Sequence, residues 1–463
     1  MTGIFLERFP TVNKVFQASD KMCETTLKWS QDSQDLIRLG GDFSHLSLNT
    51  FKSMTAWPFA NSPVNPLELP LKMARQWTSL GQDLLCSELD RFAHFRKAEQ
   101  TVAHLFTEAP EEVDWEFAYD DSNVLLDLPS IRLIDISLPG PHKLDNYTVV
   151  FAPRAGHHSN IAERVAIFMR DQGLTRMAVV EQKCATQIPV QIDGQRYHDN
   201  FSGQVGQYKT VLEKLLAETG KPAHLVAVCQ PGPLLLTTLI LNPHLGRTFG
   251  CAGSPMDTEG EWGFLTEYAR LMGRGYIDLL LQVLGRSVAE GQPGSGREAY
   301  DGAWQVMGFY MLGMDQHAKN LNRFLADVQA GNEQAAQRQK DFYLWYNTVL
   351  HFSSGFIKDT YKEVFVKNSL VRDRLVIDGV PVRMADYPDK VPTWALGGTK
   401  DDIAPLGQAT GHLDRLTHLP SKDKLALTCN AGHMGLFRSR KVMQSHYTQI
   451  VEFLKKNSDL TKN

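Results

Sequence analysis

The sequence predicts an α/β fold: a mainly parallel sheet with helices on both faces, preceded by one helical segment and interrupted by another. Three observations predict it. From residue 124 onward, short apolar runs alternate with helical patterns, which is the signature of strand-helix-strand units in a parallel sheet. The first 115 residues lack strand signals, and residues 258–385 return to helical patterning. The expected organisation is therefore a helical N-terminal region (1–115), a core built from 116–257 and 386–463, and a helical cap inserted at 258–385.

In the N-terminal region one helix is expected through Val15 to Ile37. A longer one carries Met73, Trp77, Leu80, Leu84, Leu85, Leu89, Phe92 and Phe95 as a single apolar stripe. Prolines 63 and 66 set its start, where an interior position would not tolerate them. Such a stripe packs on the main body or on a second copy, or alternatively meets a hydrophobic particle.

The period then changes. Val124–Leu128 and Arg132–Leu138 read as edge strands, and Tyr147–Ala152 as a buried central strand. The loop Pro153-Arg154-Ala155-Gly156-His157-His158-Ser159 leads into a helix from Asn160 to about Gln172. A strand at Arg176–Glu181, a long loop and a helix from about Ser202 to Thr219 follow.

The next strand, beginning at Ala223, ends at Cys229 and is followed by Gln230-Pro231-Gly232 and a second apolar run. Strand, sharp turn and helix with the cysteine at the corner is where an α/β-hydrolase holds its nucleophile, with the next backbone N–H facing a developing oxyanion. The usual box is G-x-S-x-G, whereas here Ala227 and Pro231 flank the cysteine. A buried core thiol is the ordinary alternative. Downstream features favour the catalytic reading. Val391–Gly398 is followed by Asp401-Asp402, and Leu425–Cys429 by Gly432-His433, so nucleophile, acid and base occur in the order of the α/β-hydrolase fold, the partners in loops after strands. Arg247–Gly253 supplies one more strand, and aromatic residues such as Trp262, Trp304 and Trp345 crowd the insertion.

Ala-Val-Cys-Gln-Pro at 227–231, Ala-Pro-Arg-Ala-Gly-His at 152–157, Ser-Pro-Met-Asp-Thr at 254–258, Asp-Asp-Ile at 401–403 and Gly-His-Met-Gly-Leu-Phe at 432–437 together resemble the intracellular poly(3-hydroxybutyrate) depolymerases, and more distantly the polyhydroxyalkanoate synthases. The resemblance covers roughly residues 145–455. It implies an α/β-hydrolase with catalytic Cys229, Asp401 and His433, Asp401 being preferred to Asp402 because the family pattern places the acid first. In an α/β-hydrolase the loop at 153–159 supplies the second oxyanion donor, so one from Ala155 or Gly156 is expected beside the N–H of Gln230, with His157 either lining the site or standing as a surface polar residue. Hydrolysis of the polyester through an acyl-cysteine is the leading expectation, because Ala227 and Pro231 follow the depolymerase pattern. The alternatives are a synthase that extends the polymer from hydroxyacyl-CoA and a noncatalytic granule-associated protein.

Composition narrows the partners. Across 463 residues, 43% hydrophobic and 22% charged is ordinary for a globular chain, and a net charge of −4 gives no reason to expect nucleic acid. The expected partner is polyhydroxyalkanoate polymer or its granule surface, with a homo-oligomer possible. Six cysteines, at 23, 86, 184, 229, 251 and 429, show neither C-x-x-C spacing nor grouping with histidine, so reduced thiols with no metal and no cofactor are expected. Met1–Arg8 carries no basic segment followed by an apolar core, and no apolar run reaches about 18 residues. A cytoplasmic protein without a membrane span is the expectation.

Overall fold

The computed structural model describes residues 121–155, 159–348 and 350–460. The N-terminal helices and apolar stripe expected from the sequence, and Gly156, His157 and His158, lie outside the described residues. Residues 112–306 and 348–463 form one compact unit, and 307–347 fall in a second.

The main unit is built on an eight-stranded sheet. Its strands are β1 (Val124–Asp127), β2 (Ile131–Asp135), β3 (Thr148–Phe151), β4 (Met177–Gln182), β5 (Ala223–Val228), β6 (Gly246–Ala252), β7 (Thr393–Gly398) and β8 (Lys424–Cys429). In space they run β1-β2-β4-β3-β5-β6-β7-β8. Every neighbouring pair from β4 to β8 is parallel, and β2 pairs antiparallel with both β1 and β4. That order, with its single reversal at β3 and β4 and its antiparallel second strand, is the α/β-hydrolase sheet. β2 is therefore an inner strand and not the expected edge: three of its five residues are buried, because it is covered by β4 on one side and by β1 on the other.

The central strands are apolar throughout because helices cover both faces. β3 and β5 are buried at every position. Helix α1 (Asn160–Asp171) starts where the Ser159 hydroxyl accepts from the Ala162 N–H. Helix α2 (Phe201–Thr219) is capped by the Asn200 side chain and stopped by Gly220 at φ 67°, a left-handed conformation suited to glycine. Helix α3 (Gly232–Leu241), after the cysteine, is buried along nearly its whole length. The hydroxyls of Thr237 and Thr238 return their protons to the carbonyls four residues back, at 2.7 and 2.9 Å, so this apolar helix buries no unpaired hydroxyl there. The long loop expected before α2 contains a small hairpin, Gln191–Ile192 against Gln195–Arg196, turned by Asp193 and Gly194, both at positive φ. The Asp-Gly pair was the signal for it.

Between β6 and β7 the main unit adds helices α4 (Phe264–Met272) and α5 (Tyr276–Leu284), a three-stranded ribbon and a helical stretch, Ser354–Val366. Phe352, Phe356, Val364 and Leu370 from this region join the same hydrophobic core as β3, β5, α2 and α3. In the second unit, the helices Met314–Gln329 and Glu333–Asn347 pack through Leu321, Phe324, Tyr343 and Leu344.

Candidate active site

At the C-terminal ends of β5, β7 and β8 three of the sequence-predicted side chains converge. Cys229 follows β5 directly and has φ 63°. The other non-glycine residues with positive φ among those described are Asp193, Asn368, Asp373 and Asp378, all of types that tolerate the left-handed region. A cysteine does not share that tolerance, so this corner is held against its preference by its surroundings. Its N–H donates to the Ala252 carbonyl at 2.9 Å, continuing the β5–β6 ladder up to the bend. The helix that follows fits close against the loop after β6: a β-carbon on Gly232 would come within 2.6 Å of the Met256 sulfur and the Ser254 β-carbon. This is why glycine stands third after Cys229, while Ala227 and Pro231 take the places where the familiar box has its glycines.

His433 opens the short helix His433–Arg438, with three residues between it and the end of β8. Its Nδ1 lies 2.9 Å from Asp401 Oδ2, and the Cys229 sulfur is near enough to act on the imidazole's charge. Asp401 is buried, and its other oxygen accepts the backbone N–H groups of Ile403 (3.0 Å) and Ala404 (2.9 Å), which fixes the carboxylate's orientation. Asp402, its neighbour, is exposed and makes no hydrogen bond to His433 among those of the described residues. Burial alone would lower the His433 pKa, but the Asp401 carboxylate and the Cys229 sulfur outweigh it and hold the pKa well above the usual imidazole value. Cys251 and Cys429 differ: both are buried, and burial pushes their thiols up, for Cys429 with the Asp401 charge adding to it.

The loop after β3 borders the same site. Ala152 donates its N–H to Val180 (3.1 Å), Pro153 has none, and Arg154 donates its N–H to the Gln230 side-chain oxygen at 3.0 Å. Among the described residues, Ala155 therefore carries the first N–H of this loop not already engaged, and the Gln230 N–H also has no protein acceptor. One set of residues next to the site was not singled out from the sequence. The Arg154 guanidinium is fully buried against Asp199, in contact with Gln182, Gln204 and the Phe356 ring. These residues come from four separate segments, and only an arginine amid small residues in the quoted loop could have hinted at them.

Among the described residues no group of histidine, cysteine and carboxylate side chains is arranged to hold a metal, and no helix is long and apolar enough to cross a membrane.

Residues 253–458 match the family described as PHB de-polymerase C-terminus. Among solved structures the chain is similar to the monoacylglycerol lipase of Paleococcus ferrophilus, at 14% identity over 71% of this chain and 99% of that one, with a TM-score of 0.38. It is also similar to a soluble variant of monoglyceride lipase from Saccharomyces cerevisiae, at 12% identity over 76% of this chain and 100% of that one, with a TM-score of 0.45. No curated protein matches the chain.

Proposed function

Starting from a PHB depolymerase-like α/β-hydrolase, with the PHB de-polymerase C-terminus over residues 253–458, we propose that the chain hydrolyses poly(3-hydroxyalkanoate), foremost poly(3-hydroxybutyrate), through Cys229, His433 and Asp401. The observation that carries the reading is the strained corner at Cys229 facing a buried His433–Asp401 pair. His433 takes the thiol proton, and the sulfur attacks the ester carbonyl, whose electron pair moves onto oxygen. That oxyanion is received by the N–H groups of Gln230 and Ala155, which have no competing acceptor among the described residues. Collapse breaks the C–O bond, and His433 returns the proton to the departing hydroxyl end. Water, deprotonated by the same imidazole, then cleaves the thioester and releases a hydroxyacid or a short oligomer. Asp401 stabilises the imidazolium that forms at both steps.

The rim supports an aliphatic substrate. Glu261, whose carboxylate accepts the Gly407 N–H at 2.7 Å, joins the loop after β6 to the loop of Asp401. Trp262, beside it, is 71% exposed, and Phe264, Leu271, Leu279 and Val283 are further exposed apolar side chains on α4 and α5.

The test supplies purified protein with native amorphous granules and, separately, with 3-hydroxybutyryl-CoA. Soluble hydroxyacid from granules, absent with Cys229→Ala, is the expected result. Free CoA with polymer growth and no soluble acid would replace this reading by synthesis, and binding to granules without either product would remove the catalytic reading altogether.

A further inference from the structure

We infer that the Gln230 side chain and Arg154 form a clasp that sets the geometry of the oxyanion hole, making both of them positioning residues; the inference rests on the reading of Cys229 as nucleophile. The two open N–H groups belong to different loops, Gln230 at the elbow after β5 and Ala155 in the loop after β3. Register fixes only the roots of these loops, with Phe151 opposite Ala227 as the last paired residues. Beyond that point the sheet no longer dictates how the two donors converge, yet an oxyanion hole misplaced by a fraction of an ångström loses much of its effect. The bond from the Arg154 N–H to Gln230 Oε1, at 3.0 Å, joins the residue that bears one donor to the residue just before the other. It orients the peptide that leads into Ala155.

Arg154 is anchored from the opposite side. Its guanidinium is 0% exposed, with two nitrogens on the Asp199 carboxylate at 2.7 and 2.8 Å, Nε on Gln182 Oε1 at 3.1 Å and Nη2 on Gln204 Oε1 at 2.8 Å. The Phe356 ring lies 4.0 Å from its centre, and the Ser353 hydroxyl donates to Asp199. A buried ion pair of this kind is poor evidence for stability, since apolar side chains of similar volume hold a core as well or better. What it supplies here is direction: a fork with four of its donor contacts satisfied permits one placement of the backbone above it. Ser353 and Phe356 come from the insertion, so the ribbon's last strand and the helix after it also help to set the hole.

The test separates oxyanion stabilisation from thiol reactivity. Iodoacetamide alkylates a thiolate by forming an S–C bond and expelling iodide, with the thiol proton left on His433 and no oxyanion formed. An aliphatic trifluoromethyl ketone instead forms a tetrahedral adduct with the sulfur, and its oxygen takes the negative charge. In Gln230→Leu, which removes the acceptor while keeping nearly the same volume, kcat on a soluble short-chain ester should fall by about 10- to 100-fold with little change in KM, and ketone affinity should fall by a similar factor. The alkylation rate of Cys229 should stay within about twofold of the parent. Arg154→Lys keeps a cation against Asp199 but loses the contacts to Gln182 and Gln204, and the same pattern is expected of it. Unchanged kcat and ketone affinity in folded Gln230→Leu would overturn the clasp, as would an alkylation rate falling in step with kcat. If Gln230→Leu does not fold, the same two results from Arg154→Lys decide. Failure of the underlying reading looks different, because parent protein alkylated at Cys229 would then retain its ester hydrolysis.

Discussion

Cys229 stands in a backbone conformation that costs a residue with a β-carbon about 1 kcal/mol or more. Two variants that both remove the thiol separate the chemistry of this residue from its strain. Cys229→Ala keeps a β-carbon, and turnover of a soluble ester should drop by about 10³-fold or more, the scale on which members of such triads act. Cys229→Gly should be equally inactive yet more stable than Cys229→Ala by roughly 0.5–1 kcal/mol in urea unfolding, because glycine occupies positive φ without penalty. Equal stabilities would mean that the elbow is not strained. The acid is tested in the same way. Asp401 bonds His433, whereas Asp402 is exposed, so Asp401→Asn should cost at least about a hundredfold more activity than Asp402→Asn in folded protein. The reverse ranking would move the acid by one residue. The motifs in the sequence sufficed to point to these three side chains, because each lies within four residues of the end of a strand. The anchor of Arg154 was not legible, since nothing in one segment announces its partners in three others.

The strands and their chain order were readable as apolar runs separated by helical patterns. Which strand lies beside which was not, and β2 shows why: its sequence alternates like an edge strand, yet β4 covers it. Pairing across strands also explains a glycine that no pattern marks. Gly250 in β6 is opposite Trp394 in β7, and a β-carbon there would lie 1.8 Å from the indole ring. Trp394 is fully buried and is the largest such side chain among the described residues. Gly250→Ala must push the ring or part the two strands that bear the elbow's support and the acid. We expect a loss of about 1–3 kcal/mol or more in denaturant unfolding, whereas alanine at Gly206, with nothing near its would-be β-carbon, should leave stability near or slightly above the parent. Similar midpoints for both variants would show that the indole relocates freely.

For the molecule as a whole, buried imidazoles set the acid limit. Burial, with Arg247 adding to it, holds the His224 pKa near 3, and burial holds that of His412 near 4 in spite of Asp257. Both are neutral in the fold and take up a proton on unfolding below about pH 6.5, so their contribution is full above that pH and is lost as the pH falls toward 4. His433 has the opposite sign: its raised pKa favours the fold below about pH 6.5, and that part is lost as the pH rises through its folded value. Thermal scans from pH 7 to 4 should show the midpoint falling, and replacing His224 by glutamine should flatten the fall; a slope unchanged by that replacement would discard His224 as its source. The same histidine has a second consequence. Its Nε2 meets the Ser458 hydroxyl at 2.9 Å, Asn146 bonds the Asp459 carboxylate at 3.2 Å, and Arg247 donates to the Asn457 carbonyl, so the roots of β3, β5 and β6 are pinned by residues synthesised 313, 234 and 210 positions later. During translation the sheet can therefore be laid down well before it is locked, and a nascent chain halted short of residue 457 holds its strands with the stitching still undone.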